Sequence, residues 1–351
     1  MMKENNKIEW IQVYRGGVIL LVVFGHIIWF RTTPQIFSVV NDIIYLFHMP
    51  AFFALSGYLF GLKETNYKPA FIINKKLIQL GIPYLLFSIL YFTMKFLLQN
   101  IVRVETNVSL NDFLQILFFP NVSSSVYWFL FVLILYFIIF SLTKEKISVL
   151  LSLSILSILA YIIWKSNLIH IYNDCFEYFI GYAFCFSTGM LFGHFHDKIY
   201  WKNPGIISIF ATLVLFFILF AIPFAYKIRC LWYNEGKNIY IAIVSLLLLL
   251  GGCSFIGLIT ILISKTTFVK KMFMKIGDDS WYIYLLHPYF LNITRNLLVH
   301  IEKLPSFCYL LISLIAGTVL PLIFGIIIRK VPLFDFAFYP YKYIKPKIKE
   351  D

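Results

Sequence analysis

Apolar residues in this chain come in unbroken runs of about 17 to 25, each long enough to cross the roughly 30 Å hydrocarbon core of a bilayer as a helix. Ten such spans are predicted, near residues 12–30, 40–61, 77–98, 126–142, 147–164, 176–193, 206–226, 239–263, 280–299 and 307–328. The expected fold class is therefore all-α, a polytopic membrane protein of about ten transmembrane helices. Neither a fixed-period repeat nor a low-complexity linker divides it, so it reads as a single membrane domain over 1–351, with a helical core at about 12–328 and a short basic tail at 329–351. The longest outer connection, Gln99 to Ser125, is polar except for Asp112 to Phe119, a predicted interfacial or re-entrant helix where an acceptor site could be built. Asn107-Val-Ser109 and Asn121-Val-Ser123 match a glycosylation sequon, a pattern short enough to arise often in an Asn-rich chain.

Composition agrees with the pattern. The 351 residues are 60% hydrophobic and 13% charged, with mean hydropathy +0.83, against about 25% charged residues in soluble domains. That excludes a soluble catalytic domain. The charged opening, Met1 to Trp10, precedes a first span that reads as a mature helix and not as a signal peptide. A net charge of +13 could suggest nucleic acid, but the basic residues sit in short loops, where they orient the chain and meet anionic lipid. No nucleic-acid partner is expected. With both termini on one side, that side carries 21 of the 30 Lys and Arg, so both termini are expected to be cytoplasmic. The most basic internal loop, 264–279, holds Lys265, Lys270, Lys271 and Lys275. It reads as a topology signal or as a dock for a polyanionic cytoplasmic cosubstrate. Cys175, Cys185, Cys230, Cys253 and Cys308 show no CxxC or CxxH spacing, so neither a metal site nor a disulfide framework is expected.

Four stretches carry polar groups into this apolar background. In the first span, Arg15 and His26 lie eleven residues apart, within about 20° on one helical face and roughly 16 Å apart along the axis. Polar side chains in a membrane are costly unless they face protein or water, so the pair is a candidate site. His26 can take a proton from a hydroxyl nucleophile and return one to a leaving group. Arg15 offers planar, permanently charged donors to a phosphate or carbonyl. Their structural alternatives are a histidine bonded to a neighbouring helix and an arginine snorkelling at the cytoplasmic end. In the second span, Phe47-His48-Met49-Pro50 leads into Leu55-Ser56-Gly57-Tyr58. His48 should reach the depth of His26 and could share its site, while Pro50 and Ser56-Gly57 also serve helix architecture. Tyr127-Trp128-Phe129-Leu130 opens the fourth span as substrate contacts or as an interfacial aromatic belt. In the ninth, Ser280 leads to Leu285-Leu286-His287-Pro288. His287 should lie nearer the cytoplasmic face than His26, lining a donor route or capping carbonyls freed by Pro288.

These four stretches, in order and spacing, resemble the bacterial integral-membrane acyltransferase family 3, in the branch that looks like fucose 4-O-acetylases. The matching elements are Ile8-Glu9-Trp10-Ile11 leading to Arg15 and His26, the Phe-His-Met-Pro to Leu-Ser-Gly-Tyr run, Tyr-Trp-Phe-Leu, and the Gly-x-x-Ser to Leu-Leu-His run. The resemblance implies about ten spans in the bacterial cytoplasmic membrane. It also implies an O-acetyltransferase that moves an acyl group, usually acetyl, from acetyl-CoA to a hydroxyl of a cell-envelope polysaccharide or lipid-linked glycan. His26 matches the family's catalytic histidine and Arg15 its arginine; His48, Ser56, Tyr127, Trp128 and His287 are the further substrate-binding candidates. Acyl-CoA would be a cosubstrate, with no permanently bound cofactor and no metal. Some members carry a fused extracytoplasmic hydrolase-like domain; none is evident here, so the chain should act alone or with a separate partner. The sequence leaves open homo-oligomerisation, the acceptor, the acyl group and the carboxylate that would orient His26, for which Asp42 and Glu177 are the candidates. A glycan-precursor transporter or flippase is the alternative from another class, although such folds often show repeats and paired broken helices. A structural or sensory membrane protein without turnover is a third.

Overall fold

The computed structural model describes residues 9–27, 35–63, 67–100, 107–118, 120, 126–143, 147–166, 168, 173–196, 239–301 and 304–344. Among these residues there is no strand, and the regular structure is helical throughout: α1 (Glu9–Gly25), α2 (Gln35–Lys63), α3 (Pro69–Lys76), α4 (Ile82–Leu98), α5 (Leu110–Gln115), α6 (Trp128–Thr143), α7 (Ile147–Lys165), α8 (Asp174–His194), α9 (Ile239–Ser264), α10 (Thr267–Asp278), α11 (Ser280–Leu298), α12 (Ser306–Ile328) and α13 (Pro332–Phe338). Six helical stretches are long and apolar enough to cross a membrane: Phe37–Leu62, Pro69–Leu98, Ile147–Lys165, Asp174–His194, Ala242–Ser264 and Ser306–Ile328. The fourth predicted span appears as the shorter apolar helix α6. The first appears as α1, which at 17 residues is shorter than those stretches, and the ninth as α11, whose 19 residues are long enough but too polar to count among them. The seventh, 206–226, lies outside the described residues. The chain is an all-α, multi-pass membrane protein.

Pro69–Leu98 runs through a π-helical turn, Leu77–Gly81. Pro83 has no N–H to give to the preceding turn, and the wider winding accommodates that loss. The connection after α4 is strapped back onto it. Gln99 exchanges hydrogen bonds with the backbone of Val108, its Oε1 accepting at 2.8 Å, and the Tyr84 hydroxyl donates to the carbonyl of Ile116. Ser109 and Asp112 form a capping box that starts α5. This helix begins two residues before the predicted Asp112 because the cap is Ser109, and it exposes Leu110 and Leu114.

The chain forms two compact units. The first comprises Met1–Phe52, Asn203–Cys230 and Leu247–Ile327. Its organising contact is α1 against α10 and α11. The basic segment 264–279 is therefore not a plain loop: α10 is an amphipathic helix lying along the start of α1. Gly16 and Gly277 make that approach possible, because a Cβ at Gly16 would fall on the carbonyl of Phe273 and one at Gly277 on the carbonyl of Gln12. Lipid offers no hydrophobic drive for helices to associate, so close backbone packing at small residues supplies the attraction. Farther along, α12 seats Gly317 against Val23 and Leu291, and Gly325 against Tyr282.

The second unit comprises Phe53–Lys202, Leu231–Leu246 and Ile328–Asp351. Here the C-terminal half of α2 lies parallel to α8 through two small-xxx-small pairs, Gly57/Gly61 and Gly189/Gly193. A Cβ at any of these four would strike backbone of the facing helix. Phe53 is buried among Phe129, Tyr136 and Tyr182, with ring centroids 4.6, 5.2 and 5.9 Å away. After α12, Asp335 on α13 accepts hydrogen bonds from Lys342 Nζ at 2.7 Å and from the Tyr343 hydroxyl at 2.9 Å. Burial alone would push the Asp335 carboxyl up, but those two donors outweigh it and hold its pKa below the ordinary aspartate value.

Candidate active site

In the first unit, α1 and the α10–α11 pair run parallel in one register. Glu9 pairs with Lys270, Gly16 packs at Gly277 and His26 meets His287. The two side-chain pairs share one sequence offset of 261. The parallel course agrees with the even alternation expected of a first and a ninth span. It also overturns the expected depths: His287 is not nearer the cytoplasmic face than His26 but level with it. Gly16 and Gly277 meet, and each histidine lies ten residues farther along its own segment.

His26 is not inside a helix that continues to residue 30, as expected; α1 ends at Gly25 and His26 stands in the following turn. Its backbone N–H still donates to the carbonyls of Val22 and Val23, at 3.1 and 3.2 Å. The imidazole is half-buried, with Nδ1 3.1 Å from Nε2 of His287 and ring centroids 5.0 Å apart. His287 is buried, and its Nδ1 lies 2.9 Å from the carbonyls of both Ile283 and Tyr284. His48 is also buried, with Nδ1 2.8 Å from the carbonyl of Ile44. Tyr45 connects the two helices: its hydroxyl donates to the carbonyl of Gly25 at 3.0 Å, and its ring meets His48 edge-on at 4.9 Å. The structure thus brings three of the predicted histidines to one end of α1. Arg15 is half-buried beside Gly16 and belongs to the same helix at the Glu9–Lys270 end.

The other candidates belong to the second unit. Ser56 is half-buried on α2 next to the close-packed Gly57. Tyr127 is fully buried against Phe87 and Tyr91, and Trp128 packs its ring 4.4 Å from Tyr178. Both point into protein, so the aromatic-belt reading does not hold. Of the two candidate carboxylates, Asp42 is exposed on α2 and Glu177 belongs to α8 in the second unit. Two residues of the histidine end carried no signal in the sequence. Tyr45 is one tyrosine among 23, and Tyr284, its ring 6.2 Å from His287, is another. Arg295, buried on α11 two turns past His287, was hidden because an arginine near a span end ordinarily snorkels.

A half-buried imidazole tied at one nitrogen leaves its other nitrogen available for proton transfer, as acyl transfer to a hydroxyl requires. Comparison with known proteins bears on that chemistry. The profile of the acyltransferase 3 family, described as an acyltransferase domain, matches residues 8–326, from the start of α1 to the end of α12. No curated protein and no solved structure matches the chain. The family match covers nearly the whole sequence and includes all four candidate stretches, and on that ground the chain belongs to the acyltransferase 3 family of membrane acyltransferases.

Proposed function

We propose that this acyltransferase moves an acyl group, acetyl in the simplest case, from acyl-CoA to a hydroxyl of a cell-surface polysaccharide or a lipid-linked glycan precursor, as in the fucose 4-O-acetylase branch it resembles. His26 acts as general base. It accepts the acceptor's hydroxyl proton while that oxygen attacks the thioester carbonyl, and then protonates the departing CoA sulfur. Arg15 anchors the donor through its phosphates or carbonyl, and His48 contributes to holding substrate. The protein works in the bacterial cytoplasmic membrane with both termini cytoplasmic, drawing a polyanionic donor from inside for an acceptor outside or lipid-linked. The observation that carries this reading is the seat of His26 at the end of α1, bonded at one ring nitrogen by His287 and lying within the family-matched region.

The test is release of free CoA from acetyl-CoA by the purified protein in lipid nanodiscs, with and without glycan extracted from the producing cells. Acceptor-dependent release, with acetyl found on the glycan by mass spectrometry, is the expected result. Export of unmodified glycan without CoA release would replace acylation by transport.

A further inference from the structure

We propose that His287 is the positioning residue of this site, holding His26 in the tautomer that leaves Nε2 free as the base. The proposal rests on the reading of His26 as general base. It begins with the proline. Pro288 has no N–H, so the carbonyl of Tyr284, four residues earlier, loses the donor that a regular helix would supply. The Nδ1 of His287 stands 2.9 Å from that carbonyl and 2.9 Å from the carbonyl of Ile283. Carbonyl oxygens only accept, so Nδ1 must carry the hydrogen. A neutral imidazole has one N–H, which leaves a lone pair on Nε2 of His287. That lone pair faces Nδ1 of His26 at 3.1 Å, and the contact is a hydrogen bond only if Nδ1 of His26 donates. The lone pair of His26 is then on Nε2, away from His287.

The arrangement does for His26 what a buried carboxylate does for the histidine of a hydrolase triad: it accepts from Nδ1–H, fixes the tautomer and supports the imidazolium that forms when Nε2 takes a proton. A carboxylate in an apolar span would need its own desolvation offset, and a neutral imidazole avoids that cost. The proton accepted from the hydroxyl stays on Nε2 until the thiolate of CoA removes it, so His287 never needs to titrate. Gly16 and Gly277 hold α1 and α10 in the register that puts the two rings level.

The experiment uses the full chain in lipid bilayers with ¹⁵N-labelled histidine, because ¹⁵N spectra separate protonated from bare ring nitrogens; the His26 signals are assigned by their loss in His26→Ala. We expect His26 in the wild type to carry hydrogen on Nδ1 and none on Nε2. It should become a mixture, or the opposite tautomer, in His287→Ala. His287→Gln, whose side-chain oxygen can accept near the Nε2 position, should restore the original pattern. In the CoA-release assay His287→Ala should lower kcat by about 10²- to 10⁴-fold with little change in KM for acetyl-CoA, and His287→Gln should recover part of it. A wild-type His26 protonated on Nε2, or an unchanged His26 tautomer in His287→Ala, overturns the proposal. The tautomer measurement needs no turnover, so absence of CoA release by the wild type would defeat the acyl-transfer reading while leaving the positioning role separately decided.

Discussion

At the residue scale, the candidate site brings together one half-buried histidine and one buried histidine that ties it, with an arginine farther along the same first span. His26→Ala should lower acyl transfer by about 10² to 10⁴ while leaving expression and folding near wild type, the range expected for loss of a general base. Initial rates of CoA release and size-exclusion profiles in detergent would check both halves. Arg15→Lys separates anchoring from snorkelling. Lysine keeps the charge but not the planar array of donors, so donor binding should weaken; a snorkelling anchor would tolerate the change. Calorimetric titration with CoA should show loss of affinity in Arg15→Lys and near-normal binding in His26→Ala, and the reverse pattern would exchange the two roles.

Helices meet here through glycine, and at the element scale that makes register the sensitive quantity. Replacing Gly277 with leucine would drive a side chain into the carbonyl of Gln12, a steric cost of about 1–3 kcal/mol in a packed interior. The expected outcome is a lower thermal midpoint together with loss of CoA release, because α10 can relieve the clash only by moving away from α1 and taking His287 with it. A Gly277→Leu variant that retained full activity would show that the register does not matter to the site. The α13 segment allows a pH experiment outside the membrane. Asp335 has its pKa lowered in the folded protein, so its contribution is present at neutral pH and is lost as pH falls through and below the ordinary aspartate value of 3.8. Protease release of the C-terminal segment should therefore rise on acidification in the wild type. In Asp335→Asn it should already be raised at neutral pH and change less.

For the whole molecule, direction in the membrane is the property that composition speaks to most directly. The 21 of 30 basic residues on one side are expected to place both termini in the cytoplasm, and reporters fused at the C terminus should be active only in their cytoplasmic form. The parallel courses of α1 with α11, and of α2 with α8, are those that first and ninth, and second and sixth, spans should have. The first pair is set in register by Gly16 of α1 and Gly277 of α10, just before α11, and the second is joined at Gly57, Gly61, Gly189 and Gly193; neither set could face in the antiparallel sense with the same contacts.

Much of this was legible in one dimension. Long apolar runs dictate helices because a backbone in hydrocarbon must satisfy its own hydrogen bonds, and the few polar side chains inside those runs marked Arg15, His26, His48 and His287 without any knowledge of their neighbours. Local chemistry even carried the carbonyl cap: a histidine directly before a proline stands where a donor is missing. What the sequence could not supply was longitudinal register between segments 261 positions apart. Hydropathy states that a run crosses the membrane but not how far one helix slides along another; that distance is set by which backbones can touch, at Gly16 and Gly277. The sequence by itself determined that polar groups enter the membrane and on which helices. Tertiary packing alone decided that His287 stands level with His26, that α10 is a helix against α1 and not a loop, and that Tyr127 and Trp128 turn into protein, because each depends on contacts between residues distant in the chain.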